Sequence, residues 1–218
     1  MGIFRPMLDL LFPPRCVFCR AFLGRSGNTC PSCADALPVC AGERAVQPGE
    51  YYSFCVSPFY YEGVVRDSHH RYKFQGASFY SRTYAPYLAE CIAAHCGTRY
   101  DLISWVPLSR KRLRERGYDQ ARLLADDTAA VLGTRTVATL KKVKNTAAQS
   151  GLGGPEERKA NISEAYVVLD QASIARKRIL LVDDVSTTGA TLAECARCLL
   201  KAGAEEVICA TLARRLDA

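Results

Sequence analysis

The sequence predicts an α/β fold: a mostly parallel sheet flanked by helices, preceded by a small N-terminal cysteine module. Three observations carry that expectation. The run 178–212 reads apolar strand, loop, amphipathic helix, apolar strand, and two strands joined through a helix must lie parallel. An earlier strand, Asp101–Val106, is likewise followed at once by a helical stretch. Two C-x-x-C pairs stand before residue 40, in a segment too short to bury a core of its own.

The chain has 218 residues, enough for one mid-sized domain and an appendage, and at 49% hydrophobic and 23% charged it has an ordinary globular composition. The formal net charge of +7 suits phosphate-rich ligands or weak nucleic-acid affinity without choosing between them. No apolar run approaches a membrane span. The start, Met1 to Phe12, is interrupted by Pro6 and Asp9 and lacks a small-residue cleavage site, so it reads as a docking helix rather than a targeting segment. Eleven cysteines without a secretion signal predict a reducing, cytoplasmic setting with some thiols on metal.

Cys16-Val17-Phe18-Cys19 and Cys30-Pro31-Ser32-Cys33 are two knuckles whose four sulfurs can complete one tetrahedral structural zinc site. Metal binding would then supply the module's folding free energy. The spacer, with Gly24, Ser26, Gly27 and Asn28, reads as the turn of a small ribbon. Cys40 and Cys55 have no knuckle of their own, and Cys91, Cys96, Cys195, Cys198 and Cys209 fall on helix and strand patterns as small apolar core residues. The domain expectation is ribbon over 1–40, linker over 41–50 and α/β domain over 51–218.

Phe54–Tyr61 is β-like, Arg66–Phe74 helical, and Tyr80–Cys96 a longer helix. His69 and His70 are adjacent, so a helix points them apart, and they read as surface or capping residues. The strand Asp101–Val106 ends at Pro107-Leu108-Ser109, and a basic helix over Arg110–Gln120 follows. A strand-to-helix loop rich in cations is a candidate pyrophosphate site, from Pro107, Leu108, Ser109 and Arg110. No aromatic platform stands beside this arginine cluster in the sequence. Next come a helix to about Gly133, a strand over Thr136–Leu140, and a long polar stretch, Lys141–Ile162. That stretch is read as an arm able to close over a reactive phosphate ester, with Lys141, Lys142 or Lys144 reaching a pyrophosphate.

The segment from Arg178 is the most informative. The strand Ile179–Val182 is expected to stop at Asp183 and Asp184, and Ser186-Thr187-Thr188-Gly189-Ala190-Thr191 opens the next helix. Backbone N–H groups and the helix dipole favour an anion there, Gly189 permits close approach, and the hydroxyls add donors. The neighbouring carboxylates could grip vicinal ribose hydroxyls, so the implied ligand is a ribose 5-phosphate bearing a further group. Neither G-x-G-x-x-G nor a Walker sequence occurs.

This acid pair followed by T-T-G-x-T resembles the PRPP-binding signature of type I phosphoribosyltransferases. With LFPPRCVFC, CPSC, YEGVVRDSHHRYKFQG, VPLSRKRLRERGYDQA and TAAQSGLGGPEERKANI, the whole chain resembles the ComF-type, competence-associated family, a zinc ribbon fused to a phosphoribosyltransferase-like domain. The resemblance implies Mg2+-bound PRPP as ligand. Asp183 and Asp184 would act on the ribose, residues 186–191 would hold the 5-phosphate, and an unidentified nitrogenous acceptor would take the phosphoribosyl group as in other glycosyltransferases. It also implies a link to DNA uptake, with single-stranded DNA or uptake proteins as partners, or a PRPP-sensing role without catalysis. Many members have a second pair of knuckles, of which this chain keeps only Cys40 and Cys55.

Overall fold

The structure is a computed structural model in which residues 13–24, 27–144 and 164–216 are described. The expected N-terminal helix over 1–12 and most of the Lys141–Ile162 arm lie outside them.

A six-stranded sheet organises the chain. After a short α1 (Pro31–Ala36) in the ribbon, strands β1 (Val46–Gln47), β2 (Cys55–Val56) and β3 (Phe59–Tyr60) precede helices α2 (Gly63–Phe74) and α3 (Ser81–His95). Strand β4 (Leu102–Trp105) leads into α4 (Arg110–Arg116) and α5 (Gln120–Val131). A two-stranded arm pairs β5 (Leu140–Lys142) with β6 (Tyr166–Val168). Then come a short α6 (Gln171–Ile174), β7 (Arg178–Ser186), α7 (Ala190–Lys201) and β8 (Glu206–Arg214). The order is β1-β2-β8-β7-β4, with β3 continuing β2 along the edge of β8. Only β1–β2 is antiparallel in this sheet.

The parallel arrangement follows from the apolar runs. Ile179, Leu180, Leu181 and Val182 are all fully buried, as a strand covered on both faces requires. Successive side chains serve opposite layers. Leu180, Val182, Ile208 and Ala210 pack with Leu88 and Ile92 of α3 and Leu124 of α5. Ile179, Leu181, Val207 and Cys209 pack with Leu192, Cys195 and Leu199 of α7.

Four expectations change. The strand does not stop at the acids: β7 runs through Asp183 and Asp184 to Ser186, because β8 pairs with it as far as Arg214. The stretch Thr136–Leu140 is no sheet strand. It touches β4 through one bridge, Thr136 to Ile103, and regular pairing begins at Leu140, in the arm. Leu140 therefore does not end a strand of the main sheet. The basic helix ends at Arg116, where Gly117 takes a left-handed φ of 83° and Asp119 caps α5 by accepting from the Arg122 N–H. The β-like stretch Phe54–Tyr61 is two short strands, interrupted at Ser57-Pro58, where proline lacks a ladder donor.

The first knuckle packs into the body. Val17 and Phe18 are buried, and the Phe18 ring meets Phe59, Tyr84 and Tyr87 at centroid distances of 6.2, 6.0 and 6.3 Å. Part of the expected linker is structured, since β1 forms the sheet edge.

Candidate functional site

Because β7 continues through the acid pair, Asp183 and Asp184 face opposite sides of the sheet. Asp183 lines a cradle with Ser186, Thr187, Gly189, Ala190 and Thr191 at the start of α7. Gly189 is the cap residue, with φ 70° and no side-chain cap bond. A Cβ there would lie 2.7 Å from the Tyr52 hydroxyl oxygen, so glycine is favoured by conformation and by space. Thr188 is exposed and sits on the far side of the loop, with Tyr51 and Tyr52.

Asp184 lies beneath α2, whose buried stripe is Val65, Ser68, His69 and Tyr72. Its Oδ2 accepts from His69 Nε2 at 2.9 Å and lies 3.1 Å from Lys73 Nζ. Its Oδ1 accepts from the Val185 N–H at 3.0 Å. The Asp184 N–H in turn donates to Asp183 Oδ1 at 2.8 Å. Residues 69 and 73 are one helical turn apart, so one face of α2 presents both donors.

The two carboxyls are driven apart. Burial, and then repulsion by Asp184, raises Asp183 well above the usual carboxylate range. Burial would raise Asp184 too, but Lys73 and then His69 hold it well below. Burial pushes the His69 imidazole down toward its neutral form, which suits a ring donating from Nε2 to Asp184 while Nδ1 faces the Tyr61 hydroxyl at 3.2 Å.

His69 thus corrects the reading of it as a surface or capping residue: it is 2% exposed and clasps the acid pair, whereas His70 is exposed. Lys73 went unremarked in the sequence. The available signal was its i,i+4 spacing from His69 on one helix. Arg116 is the cation of the basic helix that reaches this region. Burial lowers its pKa, and the Asp184 carboxylate opposes that shift.

Of the expected pyrophosphate residues, Ser109 is buried and caps α4 by accepting from the Arg112 N–H at 3.3 Å. The Leu108 N–H donates to Asp119 at 2.9 Å, Pro107 is half-buried, and Arg110 is exposed. On the arm, Lys141 is exposed, and Lys142 sits over the Tyr166 ring at 5.1 Å with its pKa lowered by burial. Asp183 lies within electrostatic reach of both Lys142 and Tyr166. The fold also supplies the missing aromatic: Phe74, at the end of α2 and 62% exposed, lies under Arg116 at 5.3 Å and beside His70 at 4.9 Å.

The sulfurs of Cys16, Cys19, Cys30 and Cys33 all lie within 4.8 Å of one another, and Cys19 and Cys30 are 3.6 Å apart. A tetrahedral zinc with Zn–S of about 2.3 Å needs S···S edges of about 3.8 Å, so the four fit the ion. Backbone N–H groups of Cys30 and Ala21 point at the sulfurs of Cys16 and Cys19, each at 3.4 Å, which favours thiolates. This is the only such cluster among the described residues. Cys40 and Cys55 are both buried elsewhere, Cys55 near Thr211 of β8.

Comparison with known proteins agrees with this architecture. The phosphoribosyl transferase domain family matches residues 119–218, and the double zinc ribbon domain family matches residues 7–50. Competence protein F of Haemophilus influenzae is 36% identical over 150 residues, 66% of this chain and 65% of that protein. The DNA utilization protein YhgH of Salmonella typhimurium is 31% identical over 208 residues, covering 90% of each chain. Competence protein ComFC of Bacillus subtilis is 27% identical over 86% of this chain and 78% of its own. The chain belongs to the ComF-type competence family, with an N-terminal zinc ribbon and a phosphoribosyltransferase-like domain.

Proposed function

We propose that the chain binds Mg2+-complexed PRPP and transfers its phosphoribosyl group to a nitrogenous acceptor, releasing pyrophosphate. The observation that carries this reading is the continuity of Asp183 with the glycine-capped cradle of Ser186, Thr187, Gly189, Ala190 and Thr191. A carboxyl and an anion site are thereby held a few residues apart, as a ribose 5-phosphate requires. In this reading the cradle holds the 5-phosphate and Asp183 meets the ribose hydroxyls from the cradle side. Asp184, kept ionised by Lys73, offsets positive charge developing on the sugar. The acceptor nitrogen attacks the anomeric carbon as the bond from that carbon to pyrophosphate breaks. The electron pair leaves with pyrophosphate, and the acceptor loses its proton. Magnesium, when bound with PRPP, would neutralise part of the leaving group's charge. Besides Lys73, Arg116 lies within electrostatic reach of Asp184 and Lys142 of Asp183, and α2 is the element that would cover the acceptor.

The test is pyrophosphate release from Mg·PRPP against a panel of nucleobases and aromatic acids, with Asp183→Asn/Asp184→Asn as control. Release that needs one acceptor and vanishes in the control is the expected result. Unchanged Mg·PRPP affinity of the control by calorimetry would refute the site.

A second reading, an accessory protein that contacts single-stranded DNA in DNA uptake, is favoured by Phe74 against Arg116 at the end of the basic helix. An exposed ring beside a guanidinium is the pairing on which bases stack. Binding of oligonucleotides should then weaken steeply with salt and depend on Phe74. A flat salt response counts against it.

A further inference from the structure

Helix α2 touches two sites at once. On one side, Ser68 Oγ donates to the Val17 carbonyl at 2.8 Å, and Arg71 Nη2 donates to the Val17 and Phe18 carbonyls at 3.0 and 2.5 Å. Those carbonyls belong to the two residues between the knuckle cysteines Cys16 and Cys19. On the other side, His69 and Lys73 hold Asp184. The two sets of contacts interleave along residues 68–73, a span of about 7.5 Å at the helical rise. The helix is pinned further by Tyr72, fully buried, whose hydroxyl donates to the Gln120 carbonyl at 2.6 Å.

The knuckle contacts are committed. Ser68 spends its single proton on Val17, so the buried Tyr84 hydroxyl donates to Ser68 Oγ. The Arg71 Nε is buried without a hydrogen-bond partner, and no described carboxylate forms an ion pair with this guanidinium. The two knuckle carbonyls are thus its only hydrogen-bond acceptors among the described residues. Arg71 is half-buried with its Nε covered, so water replaces these acceptors only in part, and the helix follows the knuckle.

We propose that Arg71 and Ser68 are positioning residues for the phosphoribosyl site: by clasping the carbonyls of the first zinc knuckle they hold α2, and with it the His69 and Lys73 donors, in register with Asp184. Zinc at Cys16, Cys19, Cys30 and Cys33 shapes the loop that presents those carbonyls, so the ribbon sets the state of a carboxylate in the neighbouring domain. The assignment of Asp184 to PRPP rests on the function proposed above; the coupling of knuckle to carboxylate does not.

The experiment uses the zinc-loaded full chain and its Arg71→Ala, Arg71→Lys and Ser68→Ala variants. The Asp184 carboxyl carbon is followed by NMR from about pH 8 to about pH 5, where the thiolates keep zinc, with Asp184→Asn for assignment; the wild type stays ionised across this range, and a raised midpoint enters it. The charged and titratable groups around Asp184 are Lys73, His69 and Tyr72 on α2, Arg116 on α4, Asp119 ahead of α5, Tyr61 after β3, and Asp183. None of these is substituted, so a moved midpoint reports the position of α2. The expected result is a midpoint raised in Arg71→Ala and Ser68→Ala, returned toward the wild type in Arg71→Lys, with zinc content unchanged. Mg·PRPP affinity should fall about tenfold alongside, a loss of about 1.4 kcal/mol. An unmoved Asp184 midpoint in variants that retain zinc overturns the proposal; Ser68→Ala and Arg71→Lys decide it if Arg71→Ala fails to fold. Absence of Mg·PRPP binding in the wild type would instead refute the proposed function, while the carboxyl titration still decides the coupling.

Discussion

Replacing Lys73 with methionine removes the ammonium 3.1 Å from Asp184 Oδ2 and keeps the aliphatic stem. Asp184 is 5% exposed and Lys73 27% exposed at the side chain, so solvent replaces only part of what is lost. Breaking a fully buried ion pair costs about 3–5 kcal/mol. Here His69 at 2.9 Å and the Val185 N–H at 3.0 Å remain on the carboxylate, which points to the lower scale of a charge-assisted hydrogen bond, about 2 kcal/mol. For a chain of this size that lowers the melting temperature by about 4–8 °C. The pH dependence follows from the direction of the shifts. Asp184 is depressed in the native wild type, so its stabilisation is full above the unfolded value of about 3.9 and is lost only as pH falls through the lower folded value. In the variant, burial raises the folded value above the unfolded one. Its contribution is then best in acid and declines as pH rises through that raised value. The stability difference should therefore be larger at about pH 8 than at about pH 5, measured by urea unfolding with excess zinc. A difference below about 0.5 kcal/mol, or one equal at both pH values, would refute the ion-pair argument.

Gly189→Ala forces a side chain onto a φ of 70° and against the Tyr52 hydroxyl at 2.7 Å. A cost of about 1–2 kcal/mol is expected from the backbone alone, with weakened Mg·PRPP binding in calorimetry. Adding Tyr52→Phe should relieve the contact and leave the backbone cost. Elemental analysis should find one zinc per chain, absent in Cys33→Ser. Chelation should lower thermal stability well beyond the ribbon, because Val17 and Phe18 belong to the main core.

The apolar run Ile179–Val182 and the turn chemistry at Gly189 are local signals, and both were legible because burial on two faces and a left-handed cap each restrict residue type strongly. The cysteine knuckles are legible because each C-x-x-C pair supplies two of the four ligands of a tetrahedral zinc, and two pairs complete it. The role of His69 is not legible locally, because adjacency to His70 shows only that two side chains diverge, not which one meets a carboxylate 115 residues further along. The place of Thr136–Leu140 is not legible locally either, because an edge segment and a sheet strand share the same alternation, and the choice depends on which neighbour offers free backbone groups.

The sequence by itself determined the parallel α/β plan, the four-cysteine cluster, and the loop that opens α7 with its glycine, since each depends on contacts within a few residues or on a rigid local conformation. Tertiary structure alone decided which side of the sheet each acid faces, which cations stand beside them, and that the zinc knuckle and the acid pair share α2. A carboxylate's charge state, and an arginine's partner, depend on what packs against them from distant parts of the chain, and no local pattern encodes that.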